Sequence, residues 1–181
     1  MQRQDSREPT LLQRLAPLEL MVFDVDGVLT DGTLYYGDAG ETLKAFHVLD
    51  GFGLKWLSVC GISTAIISGR SSDIVARRAE DLGVHAVIQG VEDKRAALDQ
   101  LLAQLNKTPR VTGYMGDDVI DIPVMRRVGF AATVPHAANG VAAHAHWMSA
   151  RAGGRGAVRE VCELILSAQG KLEPMLAQYQ E

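Results

Sequence analysis

The chain has 181 residues, 47% hydrophobic and 22% charged, with 18 Lys+Arg against 22 Asp+Glu for a formal net charge of -4. That balance argues for one folded domain over 1–181, with a core of about 17–168 and a C-terminal tail over 169–181, and against a disordered chain. With no basic face and no run near the roughly 20 apolar residues of a membrane span, neither nucleic acid nor a membrane is an expected partner. The opening "MQRQDSREPTLLQRLAPLEL" scatters charge where a signal peptide needs an apolar core, so the expected location is the cytoplasm.

In chain order, "LELMVFDV" reads as a first strand that runs out at Asp24 and Asp26. Residues 33–46, "TLYYGDAGETLKAF", have two β-prone arms around a Gly/Asp turn and read as a hairpin. "DGFGLKWLSVC" is helical, "GISTAIIS" is a strand ending at Ser68, and "SSDIVARRAEDLG" is a helix opened by Ser71 and Ser72 and stopped by Gly83. "HAVIQ" is a strand; "EDKRAALDQLLAQLN" is a helix with Lys94 near its start. "RVTGYMG" is a strand running into Asp117 and Asp118, and "DVIDIPVMRRVG" and "VGFAATV" are a helix and a strand. Strands alternating with helices predict an α/β fold, a Rossmann-like parallel sheet with helices on both faces. "GGRG", 153–156, precedes another helix, and "KLEPMLAQYQE", 171–181, is left open between a short helix and no structure.

Ligands of such sheets bind beyond the carboxyl ends of the strands, which is where Asp24, Asp26, Ser68, Lys94 and Asp117 fall. Two carboxylates two residues apart at a strand end point the same way, and Gly27 lets the backbone turn toward a ligand. Burying both without a partner is costly, so they call for a cation, and oxygen donors suit Mg²⁺. The rival reading of DxDG is an ordinary aspartate turn. Cys60 and Cys162, the chain's 2 cysteines, fall outside any CxxC spacing and read as reduced apolar residues. "HAHW", 144–147, reads as strand or loop histidines, since no cysteine or acidic partner stands near for zinc.

Four ordered motifs, "DVDGVLTDG", "IISGR", Lys94 in "GVEDK" and "GDDVIDIPVM", resemble the haloacid dehalogenase superfamily. The resemblance implies Asp24 as nucleophile, Asp26 as acid and base, and Ser68 and Lys94 as phosphoryl ligands. It also implies Mg²⁺ bound by the Asp24 side chain, the Asp26 carbonyl and Asp117, with Asp118 and Asp121 in support. The spacing from Asp24 to Ser68 and on to Lys94 leaves no room for an inserted cap domain. This, with "FHVLDGFGLK" and "RAGGRGAVREVCELIL", is similar to the capless 3-deoxy-D-manno-octulosonate 8-phosphate phosphatase family.

That narrower resemblance implies an acidic sugar-phosphate substrate contacted by Asp26, His47, Val48, Leu49, Asp50, Gly51, Lys55, Arg70, Arg78 and Lys94. It further implies a homotetramer built through the hairpins and a role in lipopolysaccharide synthesis. Arg155 is expected on a mobile segment reaching a neighbouring subunit, with 151–181 dispensable for the core. Leu49 and Lys55 replace arginines common in the family, so a phosphatase for a nine-carbon, sialic-acid-type 9-phosphate is the close alternative. A non-catalytic oligomerisation module is the distant one.

Overall fold

The computed structural model describes residues 9–180; the expectations about residues 1–8 and Glu181 lie outside the described residues. Six strands form one parallel sheet in the order β5-β4-β1-β6-β7-β8. They are β1 (Leu20–Phe23), β4 (Ser63–Ile67), β5 (Ala86–Ile88), β6 (Thr112–Met115), β7 (Phe130–Thr133) and β8 (Trp147–Met148). The last, only 2 residues long, starts at the Trp of "HAHW".

All four residues of β1 are buried, as a central strand covered on both faces requires. The strand period of two divides them: Met21 and Phe23 join one hydrophobic cluster, Leu20 and Val22 the other. The first cluster lies under α1 (Leu11–Leu15), α2 (Val48–Val59), α3 (Asp73–Leu82), α6 (Ala157–Ala168) and α7 (Leu172–Ala177). The second lies under α4 (Lys94–Leu105) and α5 (Ile122–Met125). Gly83 ends α3 in the left-handed conformation at φ 68°, a stop that glycine makes without steric cost.

Between Asp24 and Ser68 the chain holds only the antiparallel hairpin of β2 (Tyr35–Gly37) and β3 (Gly40–Leu43), followed by α2. Between Ser68 and Lys94 it holds α3 and β5. Neither insertion is a cap.

The segment from residue 151 onward departs from expectation. Val158, Val161, Cys162, Ile165 and Leu166 of α6 are each 0% exposed, packed chiefly on α2. At roughly 1.5–3 kcal/mol per buried side chain, removing 151–181 takes away an amount comparable to a whole domain's stability. That segment is part of the core, so its deletion is expected to unfold the protein, which a loss of the cooperative melting transition in the truncated chain would show. After α6 within this segment, the tail forms the short helix α7, with Met175 buried.

Candidate active site

At the end of β1 the Asp24 N–H donates to the Met115 carbonyl at 2.9 Å, which pins the residue between β4 and β6. The chain then coils, the amides of Val28, Leu29 and Thr30 all donating to the Val25 carbonyl. Gly27 has φ 92°, and a Cβ there would lie 2.0 Å from Asp117 Oδ2, so position and conformation both demand glycine. Asp24 and Asp117 are thereby brought together from strands far apart in sequence.

Lys94, the first residue of α4, reaches Asp24 Oδ1 at 2.8 Å and Asp121 Oδ1 at 2.7 Å with its side chain 1% exposed. Asp121 also accepts from the Tyr114 hydroxyl at 2.6 Å and from the amides of Asp117 and Asp118 at 3.0 Å each. Both of its oxygens are therefore occupied by donors. Asp118 is exposed and turns its carboxylate onto the Val119 amide, capping the short turn that presents Asp121. Ser68 is buried at the end of β4, its Oγ accepting from the Arg70 amide at 3.3 Å.

Asp24, Asp117 and Asp121 each offer an oxygen within 4.8 Å of the others. Burial first, then the Asp121 charge, pushes the Asp24 carboxyl up to about 6. Burial and the neighbouring Asp24, Asp121 and Asp118 push Asp117 up to about 7. Asp117 Oδ1 is buried and has no hydrogen-bond partner among the described residues. Lys94 alone does not balance three carboxylates, and the donor set is all oxygen. These residues fit a hard divalent cation: Asp24 and Asp117 have oxygens to offer one, while Asp121 is committed to Lys94, Tyr114 and the backbone.

Around this centre the structure treats the sequence-derived residues unequally. Asp26 is half-buried and ion-paired to Lys44 and Arg70. His47 stands at the N-terminal boundary of α2 without capping it, and its Nδ1, like Arg70 Nε and Arg78 Nε, is buried without a hydrogen-bond partner among the described residues. Gly51 admits the Arg78 guanidinium, which lies 2.5 Å from where a Cβ would stand, and Arg78 sits over the Phe46 ring. Val48, Leu49 and Lys55 are exposed on α2.

Two residues have other tasks. Asp50 is 1% exposed, and its carboxylate accepts from the Gly156 amide at 3.2 Å and the Arg159 amide at 2.8 Å, so it caps α6 instead of facing a ligand. Arg155 pairs with Asp31 of the same chain at 3.4 Å. Its segment is pressed on the loop that follows β1: the Gly154 amide donates to the Val28 carbonyl, and a Cβ on Gly153 would fall 1.8 Å from the Gly27 carbonyl. The expected mobile arm is a strap against its own loop.

Lys44, Glu41, Tyr114 and His136, whose Nε2 lies 3.2 Å from the Gly27 carbonyl, were not legible as site residues. Among the described residues no histidine joins the carboxylate trio; the His146 Nδ1 accepts from the Ala131 amide.

No family model matches the chain. It is 47% identical over 163 residues to the 3-deoxy-D-manno-octulosonate 8-phosphate phosphatase KdsC of Yersinia pestis, covering 90% of this chain and 87% of that protein. The chain belongs to the 3-deoxy-D-manno-octulosonate 8-phosphate phosphatase family. A crystal structure of a probable yrbi family phosphatase from Pseudomonas syringae superposes with a TM-score of 0.92 at 52% identity, covering 94% of this chain and 97% of that one. The Moraxella catarrhalis family member, solved in complex with magnesium ion, phosphate ion and KDO, superposes with a TM-score of 0.90 at 42% identity, covering 93% and 97%.

Proposed function

We propose that the protein is a Mg²⁺-dependent phosphomonoesterase that hydrolyses 3-deoxy-D-manno-octulosonate 8-phosphate. The observation that carries this reading is the buried cluster of Asp24, Lys94, Asp121 and Asp117, in which one carboxylate oxygen lacks a donor. A carboxylate nucleophile, a fixed ammonium and an open oxygen cradle for a cation are what phosphoryl transfer needs.

In the first step an Asp24 oxygen attacks phosphorus, the bond from phosphorus to the sugar oxygen breaks, and the leaving alkoxide takes the proton of Asp26. In the second, Asp26 removes a proton from water, the water oxygen attacks phosphorus, and the acyl-phosphate bond breaks to return Asp24 and release inorganic phosphate. Lys94 and the Ser68 hydroxyl hold the transferring oxygens, and Asp121 holds Lys94. Mg²⁺ bound by the Asp24 side chain, the Asp26 carbonyl and Asp117 would neutralise charge on the phosphoryl group.

Arg70, Arg78 and His47 offer buried nitrogens with unmet hydrogen bonds, suited to the carboxylate and hydroxyls of an acidic sugar. Leu34, Tyr35, Tyr36 and Leu43 of the hairpin are 40–61% exposed, apolar surface suited to closing the site with a neighbouring subunit of a homotetramer. A fully active monomer in sedimentation would refute that assembly. We place the enzyme in cytoplasmic lipopolysaccharide synthesis; among the described residues no helix is long and apolar enough to cross a membrane.

The deciding experiment measures phosphate release, with Mg²⁺ and with EDTA, from octulosonate 8-phosphate, sialic-acid-type 9-phosphates and hexose phosphates. Metal-dependent preference for the eight-carbon acid is expected. Preference for a nine-carbon acid would overturn the substrate, and no turnover of any would overturn the chemistry.

A further inference from the structure

The base of the hairpin builds a charge quartet around Asp26, two members of which, Lys44 and Glu41, have no part in the reaction above. Lys44, directly after β3, has a side chain 1% exposed; it is ion-paired with Asp26 Oδ1 and, at 2.9 Å, with Glu41 Oε1. Arg70 lies 3.6 Å from both Asp26 Oδ2 and Glu41 Oε1. The Ser72 hydroxyl donates to Glu41 Oε2, and Arg70 donates to the Tyr36 hydroxyl. Two carboxylates face two cations, and Asp26 is held on both oxygens.

Burying an ammonium costs several kcal/mol unless its partners are fixed, and a hairpin with mostly exposed strands has no packing need for a buried lysine. Of the two cations on Asp26, Arg70 has the longer contact, 3.6 Å, and a side chain 41% exposed, within reach of an acidic substrate. Lys44 has no such access, which makes it the constant partner.

We propose that Lys44 is a positioning residue that fixes Asp26 through Oδ1, so that the hairpin sets where Oδ2 delivers the leaving-group proton. This rests on the reading of Asp26 as acid and base. Glu41 and Ser72 extend the anchor to α3, tying the placement of Asp26 to the order of the hairpin.

The test compares wild type, Lys44→Met and Lys44→Arg on octulosonate 8-phosphate, whose alkoxide must be protonated as it leaves, and on 4-nitrophenyl phosphate, whose phenolate leaves unaided. For Lys44→Met, kcat/KM on the sugar phosphate should fall roughly tenfold to a hundredfold, the lower part of what acid–base catalysis contributes. KM should stay within about threefold, the aryl phosphate should lose far less, and Lys44→Arg should recover part of the loss. Equal losses on both substrates, a change in KM alone, or no loss in a variant that melts like wild type would each overturn the proposal. Where Lys44→Met does not fold, Glu41→Gln keeps the lysine and should give a smaller split of the same sign; equal losses there overturn the proposal too. A wild type that accepts the aryl but not the sugar phosphate overturns the substrate assignment instead, and the split is then read on an alkyl phosphate it does accept.

Discussion

At the inner end of the site Asp121 receives Lys94, the Tyr114 hydroxyl and two backbone amides, whereas at the rim His47 Nδ1, Arg70 Nε and Arg78 Nε are buried with no hydrogen-bond partner among the described residues. One chain's fold completes the inner region except at Asp117 Oδ1, the oxygen left for a cation, because each partner is fixed by the end of a parallel strand or the first turn of the helix after it. The rim is drawn from the start of α2, the turn before α3 and α3 itself, and each of these side chains keeps one nitrogen without a hydrogen-bond partner among the described residues, although Arg70 is also ion-paired to Asp26. Saturated groups hold geometry for chemistry; unsaturated ones are available to a ligand. The inner cluster should therefore govern kcat and the rim KM.

Asp24→Asn is the largest test of that division. It removes the nucleophile while Lys94 keeps Asp121, so turnover should fall on the order of 10⁴-fold or more with the melting temperature little changed. Substantial residual phosphatase activity would remove Asp24 as nucleophile. Asp117→Ala comes next. It deletes the carboxylate with the unpartnered oxygen and should lower activity by roughly 10²-fold while flattening the response to Mg²⁺. A magnesium titration superimposable on wild type would contradict its assignment as a ligand.

The two regions were not equally legible in the sequence. β1 was readable because a central strand is apolar throughout and ends abruptly in Asp24, and α3 because Ser72 and Gly83 mark its ends. The inner residues lay on those strand ends, where ligands of parallel sheets bind. Lys44 and Glu41 gave no such signal: they sit on a hairpin whose charges look like a solvated face, and only the turn of the chain over Asp26 buries them. Asp50 misled for the opposite reason. It stands in a loop-like "LDG" beside predicted substrate contacts, yet its partners are amides more than a hundred positions onward, a pairing no local periodicity encodes.

The smallest expected effect gives the sharpest test of the rim. Arg78 lies over Phe46 and against Gly51, with Nε unpaired, and takes no part in the quartet around Asp26. Arg78→Met keeps the stem's packing on the ring and removes the charge. Because the lost contact is to parts of the substrate that do not change charge in the transition state, binding weakens equally in both states. KM should rise about tenfold, with kcat within about threefold of wild type. A fall in kcat at unchanged KM would instead join Arg78 to the inner cluster, and the division between fixed chemistry and waiting rim would have to be redrawn along α3.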